Sequence, residues 1–101
     1  MILSTVFEVE LSTLAKEDLR RIYSYGAQQF GTAQAEQYFH AFFTMFEQIA
    51  QNPFLYQSID HIRPGYRRCR CGSDHIYFRI QNNKVQIMAI IGAQDLQFWL
   101  G

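Results

Sequence analysis

The sequence is short of the residues on which many common activities depend. Cysteine occurs only twice, as Cys69 and Cys71. Two apart on a strand, they share a face, where a mutual disulfide has poor geometry. They also lack the spacing and companion ligands of a zinc site. They read as two ordinary thiols in a reducing compartment. Proline also occurs twice, and no stretch is biased enough to count as low complexity. No apolar run approaches the ~20 residues of a membrane span. The start, Met1 to Val6, has neither a basic region nor a long apolar run, so a cytoplasmic chain without a secretory leader is expected. Formal net charge is zero. A Gly-rich phosphate loop, H-E-x-x-H, G-x-S-x-G and a metal-ligand cluster are all missing, so no standard active site and no cofactor is expected.

What is present fits a small folded domain. The chain has 101 residues, which suits one domain spanning residues 1–101 with one core. Hydrophobic residues make up 49%, enough to exclude disorder. Nine Phe and six Tyr supply more rings than most small cores, so some rings are candidates to cover a partner. Charge is unevenly divided. Residues 1–60 hold three basic and seven acidic side chains, net −4, and residues 61–101 hold six and two, net +4. Either one face prefers an anionic partner, or the acidic helices neutralise the basic part internally.

Taken in order, Val6 to Leu11 alternates, with Phe7, Val9 and Leu11 on one side. That is a half-buried strand, antiparallel to the rest of the sheet or at its edge. Ser12 or Thr13 can cap a helix whose apolar face is Ala15, Leu19, Ile22, Tyr23, Gly26 and Phe30. Gly31 suits its C-terminus, and Thr32 suits the cap of a second helix. The second helix places Ala35, Tyr38, Phe39, Phe42, Phe43, Phe46, Ile49 and Ala50 in an unbroken apolar stripe, the main cover for a sheet. Pro53 ends it. Residues 53–65 read as a loop pinned by Phe54, Leu55, Tyr56, Ile59 and Ile62. Gln81-Asn82-Asn83-Lys84 is a turn, because Asn tolerates positive φ. Val85, Ile87, Ala89 and Ile91 then alternate with Gln86, Met88 and Ile90 in a central strand, which Gly92 ends. The tail 93–100 suits one or two helical turns.

Between loop and turn lies the most distinctive stretch, residues 63–80. Pro64-Gly65 signals a turn, and two strand-like runs flank Gly72-Ser73-Asp74, which reads as a hairpin. Arg68 and Arg70 share one face, and Arg67, Cys69 and Cys71 the other. Ile76, Phe78 and Ile80 form an apolar side opposite His75, Tyr77 and Arg79. Arg63, Arg67, Arg68 and Arg70 fall within eight residues and repel one another unless an anion lies near. The order β-α-α-β-β-β predicts an α+β domain: a twisted antiparallel sheet packed on an α-helical hairpin.

The segments Leu14 to Tyr25, Phe30-Gly31, Ala35 to Tyr38, Gln51-Asn52-Pro53, Ile62 to Arg68 and His75 to Arg79 together resemble the ParE branch of the RelE/ParE toxin superfamily. The resemblance runs in order from about residue 6 to residue 95. It implies the same β-α-α-β-β-β fold and the toxin of a bacterial type II toxin–antitoxin pair. The implied partners are a small, partly disordered cognate antitoxin of ParD type and DNA gyrase, with inhibition by binding and no chemistry by the toxin. Direct nucleic-acid binding and a membrane role are not implied. The candidate target- or antitoxin-binding residues are Arg63, Tyr66, Arg67, Arg68, Arg70, His75, Arg79, Asp95 and Trp99. The alternative is a ribosome-dependent mRNA endonuclease of RelE type, or a toxin of this fold with another target. The RelE branch has basic residues and a C-terminal Tyr where this chain has His75, Gln94 and Leu100, which speaks against a nuclease. The chain also has Gly92 where the ParE branch usually has His, while Asp95 is kept.

Overall fold

A computed structural model describes residues 6–92. Its elements are β1 (Glu8–Leu11), α1 (Thr13–Phe30), α2 (Thr32–Gln51), a 3₁₀ turn (Pro53–Leu55), β2 (Gln57–Ser58), β3 (Tyr66–Cys71), β4 (Asp74–Gln81) and β5 (Lys84–Gly92). The strands lie in the order β1-β5-β4-β3-β2, and the α1–α2 hairpin covers one face. This is the α+β arrangement expected from the patterning. The expected tail helix lies outside the described residues.

Two details of the sheet differ from expectation. β1 pairs with β5 in parallel, Glu8 beside Lys84 through Leu11 beside Ile87, so the sheet is mixed. Alternation gives a strand its face but not its direction. Here direction is set by the helices. Ser12 N–H donates to Ile87 O at 2.9 Å, at the entry to α1, and Phe7 N–H donates to Ala50 O at 2.9 Å, at the end of α2. The second detail is β2, a two-residue strand pairing with Arg67 and Arg68 inside the stretch expected to be loop.

Ser12 is the N-cap of α1. Its Oγ accepts from Ala15 N–H at 3.0 Å and donates to Met88 O at 2.9 Å. Gly31, at φ 91°, closes α1 by donating its N–H to Ala27 O. A left-handed φ suits glycine there. The same glycine begins α2, so the expected Thr32 cap is corrected: Thr32 is the first helical residue, and no side chain caps this end.

The main core joins Ala15, Leu19 and Ile22 of α1, Phe42, Phe46 and Ile49 of α2, and Cys69, Cys71, Ile76, Phe78, Val85, Ile87 and Ile90 of the sheet. Each large apolar side chain fully buried here contributes about 1.5–3 kcal/mol. Two of the four α2 phenylalanines do this; Phe39 is half-buried and Phe43 exposed.

β5 does not alternate throughout. Tyr77 pairs with Ala89 but Phe78 pairs with Ile87, so Met88 bulges. One extra residue reverses the faces beyond it. Val85, Ile87 and Ile90 therefore pack under the helices, while Ala89 and Ile91 join the opposite face. There, Ile59 and Ile62 fold over Tyr66 and Tyr77 to form a second, smaller cluster. Ile59 pins the loop as expected, but Phe54 and Leu55 are exposed.

Candidate binding surface

The β3–β4 hairpin orders its outer face, the one turned away from the helices. In register, Tyr66 lies opposite Arg79, Arg68 opposite Tyr77, and Arg70 opposite His75. Three cross-strand pairs thus each join an arginine to a ring. Tyr66 and Tyr77 are buried beneath the 59–62 loop, so the accessible polar part of this face is Arg68, Arg70, His75 and Arg79.

Gly72 and Ser73 connect the strands in a two-residue turn, with Gly72 at φ 60°. A Cβ on Gly72 would lie 2.4 Å from Tyr38 Cε1, so only glycine lets the turn approach this ring. Tyr38 clasps the turn. Its hydroxyl donates to Cys71 O (2.9 Å) or Asp74 Oδ2 (2.8 Å), and it accepts from Ser73 N–H at 3.2 Å. Burial pushes the Tyr38 phenol above its ordinary range. The helical pattern gives Tyr38 as a core ring; its clasp on a turn more than thirty residues later has no signature in a local pattern.

The arginines are held by neutral oxygens. Arg68 Nε donates to Gln57 Oε1 (3.2 Å), Arg70 Nε to Gly72 O (3.0 Å) and Arg79 Nε to Gln86 Oε1 (2.6 Å). Among the described residues, the ion pairs are Arg21–Asp18 and Lys84–Glu10. Arg79 reaches a carboxylate indirectly, since Gln86 Nε2 donates to Glu10 Oε1 at 3.1 Å. Lys84 and Gln86 hold the Glu10 carboxyl below its usual range. Of the two readings of the charge asymmetry, internal neutralisation therefore accounts for Lys84 and partly for Arg79, but not for Arg68 or Arg70. His75 is pushed below the ordinary histidine range by burial, then by Arg68 and Arg70. At neutral pH its ring is uncharged.

Arg67 takes a different position. It sits opposite Phe78, on the helix-facing side, where its Nη1 donates to Tyr56 O at 2.8 Å and its guanidinium lies 5.3 Å from the Phe54 ring centre. That makes it a staple between β3 and the 3₁₀ turn. Arg63 lies over the Tyr66 ring at 5.0 Å. Asp95 and Trp99 lie outside the described residues. Cys69 and Cys71 face the core as free thiols, the Cys69 thiol pushed up to about 11 by burial and by Cys71.

On the helix side of the same turn, a groove of about 770 Å³ runs between α1, α2 and the β3–β4 turn. Tyr25, Phe30, Gln37, Tyr38, Ser73 and Asp74 are among its walls. Tyr25 and Phe30 are 62% and 61% exposed, the pattern of rings with no intramolecular cover. The sequence pattern assigns Phe30 to the core. At the last turn of α1 it instead extends past the sheet.

Residues 9–96 match the model of the ParE toxin family of the type II toxin–antitoxin system parDE. The chain is 36% identical over 81 residues to Toxin ParE1 of Caulobacter vibrioides, covering 80% of this chain and 83% of that one. It is 34% identical over 70 residues to Toxin ParE1 of Mycobacterium tuberculosis, covering 69% and 71%. Among solved structures, a chain of the chromosomal ParDE toxin–antitoxin system from P. aeruginosa superposes with a TM-score of 0.77 at 19% identity, covering 88% of this chain and 98% of that one. A chain of the toxin–antitoxin complex RelBE2 from M. tuberculosis does so with a TM-score of 0.61 at 18% identity, covering 92% and 98%. At such identities the superpositions speak for the fold.

Proposed function

Since the chain belongs to the ParE toxin family of type II toxin–antitoxin systems, we propose that a cognate ParD-like antitoxin neutralises it and that it acts in the cytoplasm on DNA gyrase by binding. The observation that carries the antitoxin part is the groove beside the β3–β4 turn. Its exposed rings suit the apolar side of an amphipathic helix from a partly disordered partner. The Arg-bearing outer face is left for the target or for acidic parts of the antitoxin. Of the candidate residues, Arg68, Arg70, His75 and Arg79 are offered for that contact, whereas Arg67 supports the scaffold.

Expression of the chain alone should arrest growth and induce an SOS response, and co-expression of a short acidic neighbouring gene should relieve both. Purified protein at micromolar concentration should inhibit gyrase supercoiling. Normal supercoiling at that concentration overturns the gyrase assignment.

One observation favours a second reading, a RelE-type ribonuclease: Arg70 and His75 stand side by side as a possible acid–base pair. Primer extension on translated messages separates the two. Codon-phased cuts support the ribonuclease, and uncut messages with stalled replication exclude it.

A further inference from the structure

Three groups on the outer face are left with donors to spare. Among the described residues, Arg68 and Arg70 each use Nε for a neutral oxygen, and the terminal nitrogens of both forks have no partner. His75, directly opposite Arg70, has a buried Nδ1 with no hydrogen-bond partner among the described residues. Arg68 and Arg70 are two residues apart on one face of a strand, about 7 Å by strand rise.

The nearest carboxylate of the hairpin does not reach them. Asp74 shares its face of β4 with Ile76 and Phe78, towards the helices, and its Oδ2 is engaged by Tyr38. The groups bearing on His75 are Arg68 and Arg70 from β3 and Asp74 on its own strand. From β5 it meets Ile91, which carries no charge.

We propose that Arg68, Arg70 and His75 form a site for a phosphate group, and that filling it draws a proton from solvent onto His75. Two forks and a ring nitrogen at the corners of a triangle suit three oxygens of a tetrahedral anion. A planar carboxylate is satisfied by one fork alone. The coupling follows from charge. The empty site holds His75 neutral, because two guanidinium groups repel its proton. A bound anion offsets them, so His75 gains a proton and the anion binds more tightly as pH falls. This goes beyond the toxin reading and does not require gyrase to be the target. The phosphate belongs either to a nucleic-acid backbone or to a small free compound.

The test uses the full chain and three probes: inorganic phosphate, a short oligothymidylate and a polyglutamate peptide. His75 is followed by imidazole NMR. Its titration midpoint should move upward with a phosphate probe, and oligothymidylate affinity should rise several-fold from about pH 8 to about pH 5. His75→Gln should abolish that rise. Arg68→Ala with Arg70→Ala should lower phosphate-probe affinity at least about tenfold, with an unchanged thermal melt. Binding of both phosphate probes supports a backbone source, and binding of inorganic phosphate alone supports a small compound. A His75 midpoint that neither phosphate probe moves overturns the site, as does a shift produced by polyglutamate alone.

Discussion

Asp18 takes the place of a missing strand. β1 pairs with β5 only as far as Ile87, and beyond it the backbone edge of β5 is open. Asp18 is 7% exposed; its Oδ2 accepts from Ile90 N–H at 2.9 Å, and Arg21 donates to both Asp18 Oδ1 and Ile90 O. One residue pair thus satisfies both backbone groups of Ile90. Asp18→Ala leaves a buried N–H unpaired and should cost about 1–3 kcal/mol in urea unfolding, with Asp18→Asn milder because an acceptor oxygen remains. Gly72→Ala should cost a similar ~1–3 kcal/mol, because it strains a left-handed turn and displaces the Tyr38 clasp. His75 adds a pH dependence whose sign is fixed. Its folded-state pKa lies below the unfolded value, so the unfolded chain binds the extra proton. The stabilisation is complete above the unfolded value of about 6.5 and is lost as pH falls through the folded value. Denaturation midpoints compared across that window should lose this component in His75→Gln.

Among the elements, α2 divides its work between two sides. Phe42 is fully buried and Phe43 is 40% exposed, though they are neighbours in one stripe. Phe42→Ala should cost about 3–5 kcal/mol. Phe43→Ser should stay within about 0.5 kcal/mol if the ring packs on nothing essential. Its contact with Phe46, 5.3 Å between ring centres, sets how far the cost exceeds that. The helices and the hairpin were legible because their signals are local. The 3.6-residue stripe, Gly31, Pro53 and Asn82-Asn83, both at positive φ, each act within a few residues. Features that depend on distant partners were not legible. The parallel direction of β1, the burial of Asp18 and the Tyr38 clasp all join residues more than thirty apart. The Met88 bulge was hidden for another reason: an all-apolar strand gives no alternation to reveal a lost register. For the candidate surface, the parity of Arg68, Arg70 and His75 was readable from the strand period. The burial of Tyr66 and Tyr77 was not, because it comes from the 59–62 loop folding back.

At the scale of the molecule, the sheet separates two surfaces. The helix side carries a groove walled by exposed rings, and the far side carries guanidinium groups without carboxylate partners among the described residues. The β3–β4 turn belongs to both, since Tyr38 holds it from one side and Arg70 and His75 flank it on the other. Thiol chemistry follows from the same layering. Cys69 and Cys71 lie between sheet and helices, so iodoacetamide should label them at a rate limited by opening of the fold, far below that of a free thiol.

The pairing of β1 with β5 also governs when the protein comes into being during translation. The first strand lies beside the last one described, and β5 supplies Val85, Ile87 and Ile90 to the main core. A nascent chain stalled before β5 emerges has its aromatic helices already made and no completed layer to receive them. Such truncated products should be substrates for chaperones and proteases, so a ribosome makes no folded copy until nearly the whole message has been read.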